Sequence, residues 1–248
     1  MIIIKSAQEI ELMRQAGRIA AQVLLDLSRA IRPGITTAYL DNLARRLIKS
    51  HQAKAAFLGY HGFPASICTS LNNEVVHGIP GLRRLAEGDI ISIDVGVSYK
   101  GYFSDAACTF PVGKISPLAQ KLIDVTRGSL LRGIKKAVPG NHLYDISSAI
   151  QTYVEKHGFS VVRNYVGHGI GSAMHEEPQV PNFVPPGKGP LLGEGMVLAI
   201  EPMVNTGTWK VRTLEDQWTV VTGDNGLSAH FEHTVAILKD GPEILTTL

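Results

Sequence analysis

Two acidic residues stand at matching places in a phrase that the chain nearly repeats. Residues 87–95 read Glu-Gly-Asp-Ile-Ile-Ser-Ile-Asp-Val, and residues 194–202 read Glu-Gly-Met-Val-Leu-Ala-Ile-Glu-Pro. Asp94 and Glu201 therefore occupy the same point of an apolar strand in each half of the chain. A carboxylate in such a place is costly unless a positive group lies beside it. Two carboxylates related by internal symmetry predict one cation site shared between the halves.

The repeat extends beyond this phrase. Its further matches are His61-Gly62 with His168-Gly169, Pro33-Gly34 with Pro139-Gly140, and His51 with His157. They predict a repeated unit of roughly half the chain. For His51 and His157, which fall at the ends of predicted helices, a capping or dipole role explains the match without any function.

Three more residues can join Asp94 and Glu201 on one sheet face. Asp105 lies across a predicted hairpin from Asp94, and Glu232 lies on the last long predicted strand. His168 stands among glycines that let the backbone approach a site closely. Any one of these acids alone is more often a surface or ion-paired residue. Together, the four carboxylates gathered beside one imidazole would repel one another, and two divalent cations would balance them.

Bridging carboxylates hold metal ions roughly 3.5–4 Å apart in hydrolytic two-metal sites, where the pKa of bound water falls towards ~7. A ligand set of mostly oxygen with one nitrogen favours Mn, Fe(II) or Co over a metal selected by thiolates.

The elements that must position these residues alternate between helices and strands. A capping box at Ser6 and Glu9 starts a helix that runs to about Ile31. A second helix carries an apolar stripe from Leu40 to Ile48. Two further helices are predicted from Ser116-Pro117 to Pro139-Gly140, and up to Gly158 with a stripe from Ile146 to Val154. The predicted strands are 90–98, 104–110, 196–204, 217–222 and 229–238.

This order predicts an α+β fold in which two helix pairs cover one face of an antiparallel sheet. No linker-like stretch separates the halves, so we expect a single domain over residues 1–248, with halves of about 1–110 and 111–248. The segment Pro178–Pro190, rich in proline and glycine, is expected to be a surface loop.

Composition narrows the classes of protein. Lys and Arg number 24 against 22 Asp and Glu, which argues against a dedicated nucleic-acid or anionic-membrane surface. Cys68 and Cys108 are too few for a disulfide framework. Neither a signal peptide nor a stretch near the ~20 apolar residues of a membrane span is evident. We therefore expect a cytoplasmic protein with no membrane contact, and a monomer.

Several strings, in order, resemble those of type I methionine aminopeptidases over the chain from about residue 3 to its end. They are Gly59-Tyr-His-Gly62, Asn73-Glu-Val-Val-His-Gly-Ile-Pro80, Gly88-Asp-Ile-Ile-Ser-Ile-Asp94, Gly167-His-Gly-Ile-Gly171, His175-Glu-Glu-Pro178, Ile200-Glu-Pro-Met203 and Ser228-Ala-His-Phe-Glu-His233. The resemblance implies the pseudo-two-fold pita-bread fold, which agrees with the internal repeat. It also implies a hydrolase that removes the initiator methionine from nascent proteins whose second residue is small.

By this resemblance, the ligands of two divalent metal ions (Co, Mn, Fe(II) or Zn) are Asp94, Asp105, His168, Glu201 and Glu232. Asp105 and Glu232 would bridge the ions. Glu201 would also move a proton from the attacking water to the leaving amine. His77 would contact the scissile amide, and His175 would donate to the carbonyl oxygen or oxyanion.

The resemblance further implies an apolar pocket for the methionine thioether, lined by Tyr60, Phe63, Cys68, Met174 and Trp218. Phe57, Phe63 and Met174 are positions at which members of the family differ. Asn72 and Ser228 match positions near a structural monovalent cation in some relatives. Gly96 is a departure, since some relatives carry a Thr there whose hydroxyl supports the site. The start of the chain at the catalytic domain resembles the short bacterial or organellar form, and a transient ribosome contact is expected.

Two other functions are compatible with the same fold. The first is a proline-directed aminopeptidase, whose relatives usually carry an extra N-terminal domain and different histidine contexts. The second is a non-catalytic pita-bread protein that binds protein or RNA, and such relatives tend to lose ligands and gain basic extensions. The complete ligand set and a net charge of +2 favour the enzyme.

Overall fold

The computed structural model describes residues 1–248, and four helices form one side of the molecule. They are α1 (Ala7–Ala30), α2 (Thr37–Ser50), α3 (Pro117–Ile134) and α4 (Leu143–Lys156). The capping box is confirmed, since the Ser6 amide donates to the Glu9 carboxylate over 2.7 Å and Ser6 Oγ accepts from the Glu9 amide. None of the four helices is long and apolar enough to cross a bilayer.

Fifteen strands form four sheets. They are β1 (Lys54–Ala55), β2 (Cys68–Leu71), β3 (Glu74–Val76), β4 (Ile90–Tyr99), β5 (Tyr102–Pro111), β6 (Ser160–Val161), β7 (Gly167–Gly169), β8 (Glu176–Val180), β9 (Val197–Ile200), β10 (Met203–Asn205), β11 (Val211–Thr213), β12 (Val220–Thr222), β13 (Ser228–His230), β14 (His233–Leu238) and β15 (Gly241–Ile244). Every pairing between them is antiparallel.

The two larger sheets have the same plan, one in each half of the chain. In the first, β4 lies between β5 on one edge and β1 and β2 on the other. In the second, the order is β15-β14-β9-β7-β8, so β9 lies between β14 and β7. Two smaller sheets, β13-β10-β6 and β11-β12-β3, complete the fold. The predicted antiparallel sheet with pseudo-two-fold symmetry is confirmed.

The start of the second helix of each pair shows the symmetry in detail. Thr36, before α2, makes an isolated antiparallel bridge to Arg84, and His142, before α4, makes one to Leu191. Both bridges follow a Pro-Gly turn and tie the helix to the chain that enters the central strand. His51 and His157 are the C-cap residues of α2 and α4. The matches of Pro33-Gly34 with Pro139-Gly140 and of His51 with His157 are therefore structural.

One proposed match is not structural. His61 lies in a short 3-10 turn over Tyr60–Gly62, whereas His168 lies in β7, hydrogen-bonded to the central strand β9. The strand that flanks β4 in the way that β7 flanks β9 is β2. The two His-Gly pairs are therefore similar in sequence but lie in elements that are not equivalent in the fold.

The two halves join between β5 and the chain around β14. The Glu232 amide donates to the Ala107 carbonyl over 2.9 Å. Thr234 Oγ1 accepts from the Asp105 amide and donates to the Asp105 carbonyl. Polar groups of both half-sheets are thus satisfied across the centre, which places Asp105 and Glu232 side by side.

The helices bury one face of these sheets in two apolar cores. In the first half, α1 and α2 pack on the alternate residues Ile91, Ile93, Val95 and Val97 of β4. In the second half, α3 and α4 pack on β9 and β14. Because strand residues alternate between faces, the neighbours of these apolar residues point to the opposite face. That face carries Asp94.

Two predicted strands are interrupted where their acidic residues lie. Segment 196–204 divides into β9 and β10 at Glu201-Pro202, and segment 229–238 divides into β13 and β14 at Phe231-Glu232. Pro202 has no amide for the ladder, and the Glu232 amide pairs with the other half-sheet instead. The breaks bend both chains towards the centre.

Other boundaries also differ from the predictions. Helix α3 ends at Ile134, and 3-10-like turns lead from there to Pro139. The segment 178–190 is not wholly a loop, because Pro178 to Val180 belong to β8. Strand 217–222 is shortened to β12, and the short strands β1 to β3, β6 to β8, β11 and β15 were not predicted.

A buried ion pair fastens the N-terminal arm to the strand that starts at Glu176. Lys5 Nζ lies 2.6 Å from Glu176 Oε2, with the two side chains 3% and 4% exposed. Lys5 Nζ also donates to the Ile3 carbonyl, and the Lys5 amide donates to the Gly195 carbonyl. The arm therefore anchors the segment that carries His175.

Removing the Lys5 ammonium should destabilise the protein strongly. Because Lys5→Ala leaves the Glu176 carboxylate buried and unpaired, we expect the free energy of unfolding to fall by about 3–5 kcal/mol. Urea unfolding followed by circular dichroism measures it. The matched control is Arg29→Ala, since the Arg29–Asp26 pair is exposed and worth at most ~1 kcal/mol. Equal small losses in both variants would show that the buried pair does not anchor the arm.

Candidate metal centre and substrate cavity

A cavity of about 420 Å³ opens between the two half-sheets, on the face away from the helices. Its volume is typical of a small-molecule site. It is lined by Phe57, Tyr60, His61, Phe63, Cys68, His77, Asp94, Asp105, His168, His175, Glu201, Trp218 and Glu232. The structure thus brings all five predicted metal ligands to one place.

The β4–β5 hairpin positions the first two carboxylates. Lys100 and Gly101 both take positive φ angles in the turn that joins the two strands. Asp105 pairs with Gly96 in the ladder, and Asp94 pairs with Ala107. The two aspartates are therefore diagonal neighbours on the same face of the hairpin. At that separation, side chains on adjacent strands can still contact each other.

Strand β7 presents the imidazole. Gly167 and Gly169 have no room for a Cβ, because the Ala199 and Glu177 carbonyls lie against them, so glycine lets β7 fit between β9 and β8. His168 Nδ1 lies 2.8 Å from the Gly169 carbonyl. That carbonyl can only accept, so Nδ1 carries the proton and Nε2 faces the cavity with a free lone pair.

The remaining carboxylates come from the two strand breaks. Glu201 Oε1 lies 3.6 Å from His168 Nε2, and Asp105 Oδ2 lies 4.0 Å from the same nitrogen. The Glu201 carbonyl accepts a hydrogen bond from the side-chain Nδ2 of Asn182 over 3.0 Å. The backbones of Glu201 and Glu232 are thus held by hydrogen bonds. Their side chains line the cavity.

The electrostatics of the cluster are unfavourable for four free anions. Burial raises the pKa of Asp94, Glu201 and Glu232 well above the usual range, and the charges of neighbouring carboxylates raise them further. Burial also raises the pKa of Asp105 to about 7. Burial lowers the pKa of His168 to about 3, so the imidazole is neutral and offers a lone pair.

Unpartnered buried oxygens show that the cluster fits cations. Asp94 Oδ1, Asp105 Oδ1 and Glu232 Oε1 are buried without any hydrogen-bond donor. Ligand atoms of Asp105, His168 and Glu232 lie within 4.8 Å of one another. Four carboxylates and one neutral imidazole form the oxygen-rich donor set that divalent first-row metals accept. These residues can hold divalent metal.

Two histidines outside this set face the same cavity. Burial lowers the pKa of His77 to about 4, and its ring lies edge-on to Tyr165 and Trp218. His175 stands at the cavity wall with its ring centroid 4.2 Å from that of His168.

Tyr60 contributes more than an apolar surface. Its hydroxyl lies 2.7 Å from His175 Nδ1, and the two rings stack with centroids 5.3 Å apart. If the hydroxyl donates, the proton of the neutral imidazole is on Nε2. His175 is then arranged to donate a hydrogen bond from Nε2.

One wall of the cavity is apolar. Phe63 packs edge-on to Trp218 at 5.1 Å and to Phe57 at 6.5 Å. Cys68 pairs with Asp94 in the ladder, and burial raises the pKa of its thiol well above the usual range. It therefore acts as a small apolar group. Of the predicted pocket residues, Met174 does not line the cavity, because it is buried behind the wall in the cluster with Phe57 and Phe63.

Gly96 leaves room for one of these aromatic rings. A Cβ at Gly96 would lie 2.6 Å from Phe57 Cε1. The ring of Phe57 thus occupies the space in which a threonine side chain would stand. The glycine at position 96 and the phenylalanine at position 57 therefore depend on each other, because they share this space.

Sequence reasoning missed two histidines near the cluster. His61 lines the cavity, and its ring packs edge-on against that of Tyr60. His230 is buried, with Nε2 3.5 Å from Glu201 Oε2. The two-residue spacing from Glu232 could have revealed His230, because alternate strand residues share a face.

The residues expected near a monovalent cation are adjacent. The Ser228 amide donates to the Asn72 carbonyl over 2.7 Å, and Asn72 takes a φ of 55°. The monovalent cation stays a prediction.

Known proteins resemble the chain over its whole length. The model of metallopeptidase family M24 matches residues 11–239. A methionine aminopeptidase from Clostridium perfringens is 58% identical, over 100% of both chains. The crystal structure of methionine aminopeptidase from Thermotoga maritima superposes with a TM-score of 0.98 at 46% identity, over 100% of both chains. The prolidase of Pyrococcus horikoshii matches at 24% identity with a TM-score of 0.79, which shows the fold alone.

Metal binding should release protons. The pKa of Asp105 is about 7, and the pKa values of Asp94, Glu201 and Glu232 are well above their usual range. Without metal, the cluster is therefore partly protonated at pH 7. We expect the apparent Mn²⁺ affinity to rise with pH from 6 to 8, about tenfold per unit for each proton displaced. Titration calorimetry in buffers of different ionisation enthalpy counts these protons. A pH-independent affinity would contradict the raised pKa values.

Substitution at Gly96 should couple to Phe57. Gly96→Thr forces the ring aside, and overpacking of this kind typically costs about 1–3 kcal/mol. In a Phe57→Ala background the same change should cost clearly less, with a coupling of roughly 0.5–3 kcal/mol. Urea unfolding of the four metal-free proteins measures this cycle. Additive losses would show that the two positions do not share the space.

Proposed function

The chain belongs to metallopeptidase family M24, and from this membership and the cavity we propose how it removes methionine from the N-terminus of a peptide. It is a metallo-exopeptidase of the methionyl aminopeptidase type, as its full-length relatives are named. The observation that carries the proposal is a single cavity in which four carboxylates and one neutral imidazole face an apolar wall. The groups that would hydrolyse the peptide bond and the groups that would bind the first side chain then lie close enough to contact the same substrate residue.

Divalent metal suits this cluster, and we propose two ions held by Asp94, Asp105, His168, Glu201 and Glu232. Asp105 and Glu232 would hold the ions from the centre of the cavity, where the half-sheets join. Co, Mn, Fe(II) and Zn all accept such ligands. Bound ions of this kind lower the pKa of water and polarise a carbonyl group.

The chain's own residues handle the protons. Glu201 lies beside the metal ligand His168 and is the proposed base that accepts a proton from the attacking water. The same carboxylic acid then gives this proton to the leaving amine. His175, with its Nδ1 occupied by Tyr60, donates from Nε2 to the carbonyl oxygen as negative charge develops there. His77 also lines the cavity and is proposed to contact the scissile amide.

The apolar wall selects the first residue. Phe57, Phe63 and Trp218 surround a space that suits an unbranched side chain, and sulfur packs favourably against aromatic rings. Tyr60 and Cys68 complete the lining. We propose that methionine is chosen by this packing and that only a small second residue is accepted.

The whole chain is proposed to act as one catalytic domain. Both halves supply ligands, and polar bonds cross between them at Asp105 and Glu232. The proposed substrate is the N-terminal methionine of nascent proteins. We propose that the protein acts in the cytoplasm as a monomer and contacts the ribosome transiently. The near-neutral charge of +2 supports a protein without nucleic-acid specificity.

The alternatives have less support. A proline-directed activity rests on the fold alone, at 24% identity, against 58% for a methionine aminopeptidase. A non-catalytic role would leave the buried, mutually repelling ligand set unexplained.

Peptide cleavage tests the proposed function. Protein loaded with Mn²⁺ should release methionine from Met-Ala-Ser and leave Met-Leu-Ser nearly intact, as measured by chromatography of the products. Glu201→Gln, which removes both a ligand charge and the proposed base, should lower turnover by at least 10²-fold. Equal cleavage of both peptides, or preference for Ala-Pro-Ser, would overturn the assignment.

A further inference from the structure

A buried histidine that does not line the cavity stands behind two of the proposed ligands. His230 ends β13 and is 1% exposed. Its backbone is fixed twice, since its amide donates to Thr109 Oγ1 and its carbonyl accepts from the same hydroxyl, each over 2.9 Å. The position of the ring is therefore built into the junction of the half-sheets.

The ring nitrogen of His230 points at carboxylates. Nε2 lies 3.5 Å from Glu201 Oε2 and 3.9 Å from Glu232 Oε2. It is buried and has no hydrogen-bond partner. Buried polar atoms in folded proteins nearly always find a partner. Of the two carboxylate oxygens near it, Glu201 Oε2 is the closer.

We propose that His230 is a positioning residue, whose Nε2–H donates to Glu201 Oε2 and thereby leaves Oε1 to face His168 and the metal. The proposal rests on the proposed role of Glu201. The two oxygens of Glu201 are then divided between two histidines, since Oε1 lies 3.6 Å from His168 Nε2. Such hydrogen bonds behind a ligand orient it and strengthen metal binding.

Direct ligation by His230 is the competing role. Ligand atoms of Glu201, His230 and Glu232 lie within 4.8 Å of one another, which a shared ion could span. The lining of the cavity favours the hydrogen bond. All five proposed ligands line the cavity, whereas His230 does not.

Metal titration of matched variants separates these roles. His230→Leu keeps a similar apolar volume but removes the donor, whereas His230→Gln keeps an N–H group. We expect His230→Leu to bind Mn²⁺ about 10–100-fold more weakly by titration calorimetry, with unchanged stoichiometry at saturation. His230→Gln should stay near the parent affinity. If the Leu variant does not fold, His230→Asn, whose amide is too short to reach, should show the same loss.

The double variant identifies the group through which His230 acts. In a Glu201→Gln background, His230→Leu should cause little further loss of Mn²⁺ affinity. The exposed histidine variant His51→Leu serves as a control for loss of an imidazole. Parent-like affinity in His230→Leu would overturn the proposal, and so would loss of one metal equivalent in both the Leu and Gln variants, which would make His230 a ligand. Calorimetry needs no substrate, so this outcome is separate from failure of the peptide assay.

Discussion

Repulsion among four carboxylates in one buried cavity is the constraint on which the rest of the structure depends. Two like charges ~4 Å apart repel by ~4 kcal/mol at the effective dielectric constant of ~20 that suits protein sites. No lysine or arginine lines the cavity to offset this. The fold therefore holds the acids by their backbones: Asp94 and Asp105 in a long hairpin, and Glu232 by its bond to Ala107. The backbone thus fixes the places of the carboxylates that could hold cations.

The pseudo-two-fold symmetry builds this frame, and its exceptions differentiate the ligands. Asp94 and Glu201 occupy equivalent central strands, but β4 continues past Asp94 whereas β9 stops at Glu201. The strand break gives Glu201 neighbours that Asp94 lacks, namely His168 on one side and His230 on the other. In the first half, the strand equivalent to β7 offers Cys68 opposite Asp94 instead of an imidazole. One half therefore brings an imidazole, that of His168, to the carboxylate cluster, and the other brings the thiol of Cys68 to the apolar wall.

Sequence reasoning predicted most of the frame because its signals are local and repeated. Caps, apolar stripes and alternation in β4 each follow from backbone geometry, and the doubled phrase pointed to Asp94 and Glu201, which both line the cavity, before any family was considered. What failed depended on contacts between distant segments. The breaks at Glu201 and Glu232 are set by pairing across the half-sheets, and the short strands have too few residues for a visible period. Met174 is drawn behind the wall by packing, and the match of His61 with His168 failed because a His-Gly pair carries no information on strand order.

The contacts around Tyr60 show why the apolar and polar parts of the cavity cannot be treated separately. Its ring belongs to the wall that surrounds an incoming side chain, while its hydroxyl occupies His175 Nδ1. A change that moves this ring to reshape the wall also frees the imidazole to rotate or change tautomer. The same holds for Phe57, whose ring rests on Gly96 opposite Asp105 in the ladder. The aromatic residues of the apolar wall thus contact His175 and Gly96 directly, so a change in the wall also changes the surroundings of these two residues.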